Sequence, residues 1–184
     1  MSRRANATVE DLYGAPDKGK AEIVNGELIL MAPTGGVPAR AGGEIYVSLR
    51  EYERRKTGCG YAFPDNVGFL VDLPNRSSLS PDAAFYIGEL RGGLFLQGAP
   101  IFAAEVRSEN DYGPPAERAM TDKRRDYFAA GTLVVWDVDV LRDQVVRVYR
   151  ASEPEHPTMY RRGEVAEAEP AVPGWSMPVD RLFS

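Results

Sequence analysis

Two short, nearly all-apolar runs, 101–106 and 132–138, flank a segment of helical periodicity over 115–130 that Gly131 stops. Runs that short and that apolar read as central strands buried on both faces, because a strand with one wet face would alternate. A helix between two such strands makes a strand–helix–strand crossover, which joins parallel neighbours in one sheet. The expected fold class is therefore α/β, a mixed sheet flanked by helices on both sides.

Asp82 follows Pro81 and opens 82–87, a run with the β-branched and aromatic content of another strand. Glu105 stands near the end of the 101–106 run. Two carboxylates on neighbouring strands, at the edge of an apolar core, can hold a hard divalent cation. A cation held that way is a hydrolytic device for phosphate esters. The plainer alternative makes Asp82 a turn residue after proline and Glu105 a solvated strand end.

Lys123 favours the first account. At 100° per residue, Ala116, Met120, Tyr127 and Ala130 form one apolar stripe, and Lys123 falls inside it. Arg118 and Arg125 take the opposite face, with Arg124 at the margin. An inward lysine needs a partner or a snorkelling route, since an unpaired buried ammonium is expensive. Two clustered carboxylates would supply the partner.

Together these residues resemble the active site of the PD-(D/E)XK nuclease superfamily, and more narrowly its group of small bacterial restriction-endonuclease-like proteins. The resemblance runs through Glu22-Ile-Val-Asn-Gly-Glu-Leu-Ile-Leu-Met-Ala-Pro33, Ser80-Pro-Asp-Ala-Ala-Phe85 and Ala104-Glu-Val-Arg-Ser108. It continues through Lys123-Arg-Arg-Asp-Tyr-Phe-Ala-Ala-Gly131, Val134-Val-Trp-Asp-Val138, Val146-Arg-Val-Tyr149, Pro173-Gly-Trp175 and Leu182-Phe183. Each piece is common on its own; their order and spacing carry the likeness, over nearly the whole chain.

The resemblance implies a restriction-endonuclease-like core in which Asp82, Glu105 and the main-chain carbonyl of Val106 hold Mg²⁺ or Mn²⁺. Lys123 would then hold the attacking water or stabilise developing charge, and Arg107 and Arg124 would contact phosphate. Some superfamily members use an acid from the first helix near the metal, which makes Glu44 a secondary candidate. Two departures stand out. The superfamily places lysine two residues after the second acid, where this chain has Arg107. Arginine stays protonated and cannot deprotonate a water. The resemblance implies that in this subgroup the lysine stands on the following helix, where Lys123 is, so Lys123 and Arg107 are the two candidates for the lysine role. The subgroup's Ser-Pro-Ser is replaced by Ser108-Glu-Asn-Asp111, which adds negative charge beside the site.

A length of 184 residues suits one domain with a real core, preceded by an arm over 1–20. With only Cys59 and His156, an internal disulfide, a cysteine-built zinc site and most histidine-based sites are excluded. His156, in a Pro/Glu-rich stretch, is expected at the surface. The N-terminus lacks an apolar leader and no run approaches 18 apolar residues, so no membrane association and a cytoplasmic location are expected. A net charge of −5 opposes tight non-specific binding of DNA by a monomer. The basic residues are clustered, however, and a homodimer would double a local basic groove.

Elsewhere, a short helix capped by Asn6 or Thr8 is expected near 7–13, and Asn25-Gly26 marks a hairpin. The run 14–20 spaces like a phosphate-binding loop but is rejected, because Ala21 replaces the metal-binding hydroxyl and the run enters a hairpin. A helix is expected over 38–56, strands over 61–73 and 82–87, and a more exposed strand over 144–150. The stretch 151–170 reads as a charged tail, after which Trp175 and Leu182-Phe183 should pack on the core. Asn75-Arg-Ser77 fits a glycosylation acceptor with nothing else to suggest secretion.

The expected function is metal-dependent hydrolysis of DNA phosphodiester bonds. The alternatives are an inactive nucleic-acid- or protein-interaction module on the same fold, or a buried ion-pair network with no chemistry.

Overall fold

The computed structural model describes residues 6–14 and 19–184, so most of the rejected phosphate-loop run lies outside the described residues. Helix α1 (Val9–Tyr13) is capped by Thr8 in a reciprocal box with Asp11. Strands β1 (Ala21–Val24) and β2 (Glu27–Leu30) form the expected hairpin. Asn25 and Gly26 carry positive φ of 51° and 72°, as a two-residue primed turn demands.

Helix α2 (Gly36–Arg55) begins two residues earlier than the periodicity suggests. Pro38 lies within its first turn, where a missing N–H costs nothing, so the proline does not delay the start. The expected single strand over 61–73 is two, β3 (Tyr61–Pro64) and β4 (Phe69–Leu73), broken where Asn66 takes φ 66°. Then follow β5 (Arg76–Leu79), β6 (Ala83–Tyr86), β7 (Leu96–Gln97) and β8 (Phe102–Val106). Helix α3 (Pro114–Ala129) crosses to β9 (Val134–Asp139), which lies parallel to β8.

Strand β10 (Val145–Arg150) is more buried than its alternation suggests, because it lies between β9 and β11 (Glu153–Arg161). The charged stretch read as a tail is thus an edge strand. Its prolines and charges are what protect such an edge from pairing further. His156 is exposed on it. The chain closes with β12 (Val165–Glu167), β13 (Ser176–Pro178) and a 3₁₀ turn, Val179–Phe183.

The main sheet runs β11-β10-β9-β8-β6-β3, and a second runs β2-β1-β5-β4-β7. One face of the main sheet, with Phe85, Phe102, Ala104 and Trp136, packs on α2 and the C-terminal residues Trp175 and Leu182. The Trp175 ring lies 5.0 Å from that of Trp136, tilted by 31°, and donates to Ser48 Oγ at 3.1 Å, as expected of a tail folded back on the core. The other face, with Ala84, Tyr86, Ala103 and Val135, packs on Phe69, Leu79 and Leu96 of the second sheet and on Tyr127 of α3. Helix α3 therefore shares its face with a sheet. Among the described residues, no helix is long and apolar enough to cross a membrane.

Candidate active site

Asp82 and Glu105 owe their proximity to strand register. Strands β6 and β8 pair antiparallel with Ala83 opposite Ala104, and the Asp82 N–H donates to the Ala104 carbonyl at 3.0 Å. One step further along that register, Asp82 faces Glu105. Directly opposed residues have Cβ atoms only about 5 Å apart. Both side chains project from the face that carries Ala84 and Ala103, toward α3 and the second sheet.

The segment Ser80–Asp82 is where the chain leaves β5 in one sheet and enters β6 in the other. Strand β1, bonded to β5, consequently lies beside Asp82 and brings Lys20 and Glu22 with it. Lys20 Nζ lies 2.9 Å from Asp82 Oδ1 and 2.6 Å from Asp65. The second Asp82 oxygen accepts the Val106 N–H at 2.7 Å. Helix α2 approaches Asp82 through Gly42, where an added Cβ would stand 3.6 Å from the aspartate Cβ.

Lys123 comes in from α3. Its ammonium lies 2.9 Å from Glu105 and 3.0 Å from Glu22, so it bridges the two sheets. Tyr127, one turn along the stripe, donates to Glu105 Oε1 at 2.5 Å. Glu22 is in turn held by Arg76 at 2.5 Å and by the Ser80 N–H at 2.8 Å. Arg76 also binds Asp126 of α3 at 2.6 Å.

Burial raises the Glu105 carboxyl above its usual range; Lys123 opposes this and Asp82 adds to it. Burial alone would lower the Lys123 ammonium, but the charges of Glu105 and Glu22 outweigh it and leave the lysine above its ordinary range. Lys20 is raised in the same way, with Asp82 and Glu105 overcoming burial. The Tyr127 phenol is pushed well up by burial and then by the Glu105 charge. Both lysines and the phenol are thus protonated at neutral pH. This cluster can stabilise negative charge, and Lys123 in this arrangement does not accept a proton.

Among the expected site residues, Asp82, Glu105, Val106 and Lys123 come together around one cavity of about 770 Å³. Arg107 also lines it, but its guanidinium is buried and committed to Asp137 at 2.7 Å and to Glu117 at 2.5 Å. Arg124 lines the cavity and stacks over the Tyr149 ring at 3.7 Å. Glu44 pairs with Arg181 at 3.4 Å and is not in the cavity lining, whereas Gly42 of α2 lies against Asp82. Glu109 and Asp111 of the acidic loop are in the lining, as expected from the altered sequence there.

Lys20, Glu22, Arg76 and Tyr127 complete the cluster and were not singled out from the sequence as site residues. A signal existed for two of them. Lys20 and Glu22 are spaced by two at the start of a strand, so they share a face, and Glu22 is a charge inside an otherwise apolar run. Asn75, read as a glycosylation acceptor, instead donates to Asp126 at 2.8 Å. Among the described residues, no group of three or more His, Cys, Asp or Glu side chains is placed to hold a metal ion. Lys123 stands between Glu22 and Glu105, which leaves Asp82 and Glu105 as the adjacent pair.

No curated protein sequence matches the chain. A solved structure does, titled "Crystal structure of a putative nuclease belonging to DUF820 from Anabaena variabilis ATCC 29413". The two align with a TM-score of 0.73 at 17% identity, covering 96% of this chain and 97% of that one. The likeness shows a common restriction-endonuclease-like α/β fold. The model of the Uma2 family, described as "Putative restriction endonuclease", matches residues 7–180, and the chain belongs to that family.

Proposed function

We propose that this protein is a metal-dependent nuclease that hydrolyses DNA phosphodiester bonds at the Asp82–Glu105–Lys123 cluster. The observation that carries the reading is the pair of opposed carboxylates, Asp82 at the entry to β6 and Glu105 on β8, with a lysine ammonium 2.9 Å from the second. The family description and the name of the solved relative, a nuclease, support the same class.

The donor set fits Mg²⁺ or Mn²⁺. Both acids are hard oxygen donors, and Mg²⁺ is usually bound by one or two carboxylates, with waters and substrate phosphate completing its shell. Glu105 is raised by burial and by Asp82, so a cation between them would offset a charge that the fold leaves crowded. Asp82 Oδ1 is held by a lysine side chain that has Asp65 as a second partner, and that contact is exchangeable. Asp82 and Glu105, with the Val106 carbonyl, would hold the ion. When bound, such an ion supplies an acidified water and neutralises charge on the scissile phosphate.

The chain's own residues do the rest. Lys123, protonated and anchored by Glu105 and Glu22, offsets negative charge as it builds on phosphate. Tyr127 orients Glu105 through its hydroxyl. Lys20, displaced from Asp82, carries its charge toward the substrate while Asp65 steadies it. Arg107 anchors α3 to β9 through Glu117 and Asp137, and leaves the lysine role to Lys123.

Calorimetry with Mn²⁺ on the wild type and on Asp82→Ala tests the reading. Saturable binding by the wild type and its loss in the variant are expected. Heat-silent titrations of both would favour an inactive interaction module.

A further inference from the structure

The cavity over the cluster has a side that phosphate chemistry does not use. Its lining includes Ile29 and Met31 at the end of the hairpin, then Pro33, Val37 and Pro38 leading into α2. Ile29 is 43% exposed and Val37 55% exposed, so this apolar surface faces solvent uncovered. Ile29 lies on β2, the outer strand of its sheet, so nothing in that sheet covers this edge.

Positive charge in the cavity is, by contrast, almost fully committed. Of the basic side chains described in the lining, Lys20 is paired with Asp65 and Asp82, and Lys123 with Glu22 and Glu105. Arg107 is paired with Glu117 and Asp137. Arg124 sits over the Tyr149 ring, its guanidinium carbon 3.7 Å from the ring centre. Glu109 and Asp111 add negative charge to the same lining. Duplex DNA presents an outer surface of phosphate, and proteins bind it by neutralising that phosphate with free lysine and arginine. This cavity offers little of what a duplex needs, and an apolar face for which a duplex has no counterpart.

A strand with unstacked bases matches both features. Its phosphate can enter the recessed cluster, where the side chains of Asp82 and Lys123 are only 16% and 18% exposed. Its bases, freed from pairing, can lay their apolar faces against this segment, and such contact reads no base edge, so it tolerates any sequence. The cavity, at about 770 Å³, falls in the size range of sites for compact ligands and is too small to enclose a double helix.

We propose that the substrate of this site is single-stranded DNA, with bases seated on Ile29, Met31, Pro33 and Val37. The proposal rests on the nuclease reading for the position of the phosphate.

The test compares a short fluorescent DNA strand of mixed sequence with its own duplex, by anisotropy at low salt with Ca²⁺ present. The strand should bind about tenfold more tightly than the duplex, a preference that about 1.4 kcal/mol from bases held on the apolar segment would supply. Val37→Ser and Ile29→Ser alter exposed positions and should leave the melting temperature unchanged. Each should weaken strand binding by about threefold or more, and duplex binding hardly at all. A duplex bound as tightly as the strand, or a strand indifferent to both substitutions, overturns the proposal. Cleavage of the same oligonucleotides with Mn²⁺ separates the two ideas. Strand preference without cleavage removes the nuclease reading and leaves the binding surface. Cleavage of duplex with no strand preference removes the binding surface and leaves the nuclease.

Discussion

The ammonium of Lys123 on α3 lies 2.9 Å from the carboxylate of Glu105 on β8, although 18 residues of chain separate them. In the superfamily pattern the lysine sits two places after the acid, on the same strand. Here Arg107 holds that place, and it shares the face of β8 that carries Glu105. Its guanidinium is taken by Asp137, which stands beside Glu105 across the parallel β8–β9 pair. A helix packed over the strand offers another route to the same point in space, and Lys123 takes it.

Arg107 should therefore behave as a structural residue. Arg107→Ala leaves Asp137 buried without its charge partner, which typically costs about 3–5 kcal/mol. Urea unfolding should show a loss of that order, while metal-dependent cleavage per folded molecule changes little. A stable variant with a large loss of rate would return Arg107 to the chemistry.

Lys20 should compete with the metal. It occupies Asp82 Oδ1, the oxygen of that carboxylate left over by the Val106 N–H. Lys20→Met keeps most of the length of the side chain and removes the charge. Mn²⁺ affinity measured by calorimetry should rise by about fivefold or more, the scale of a modest coupling between sites. Unchanged or weaker affinity would mean that lysine and metal do not share the oxygen.

The stripe 116, 120, 123, 127 was legible because helical phase is a local property. Residues close in sequence decide it, and the structure turns all four inward. The opposed acids were legible as neighbours, since each closes or opens an apolar run. Glu22 and Lys20 were not, because their place depends on β1 pairing with β5 across more than fifty residues, and no local pattern encodes that pairing. Strand β11 escaped for another reason. Its charge and proline are typical of a tail, and they are equally what an outer strand needs to remain unpaired.

Asp139 supplies a pH-dependent part of stability away from the cluster. Buried at the end of β9, its carboxylate accepts the Tyr112 hydroxyl at 2.7 Å and the Arg142 N–H at 2.9 Å. Burial opposes its ionisation, but these hydrogen bonds win and hold it below the usual aspartate value of 3.8. A carboxyl depressed on folding stabilises above its unfolded pKa, and that contribution fades as pH falls through the folded one. Asp139→Asn should cost about 1–2 kcal/mol at pH near 6 and progressively less below about pH 4. Denaturant midpoints of both proteins across that range would show the difference shrink; a constant difference would contradict the assignment.

The rate of Mn²⁺-dependent cleavage of a DNA strand by the wild type and by Lys123→Ala, scaled to folded protein, tests the role of the cluster most directly. The wild type should cut, and the variant should cut about 10²-fold more slowly, the usual effect of losing one preorganised charge. DNA binding should weaken far less, since one contact among several is lost. A variant as fast as the wild type, or a wild type that binds DNA and cuts none, would contradict the account.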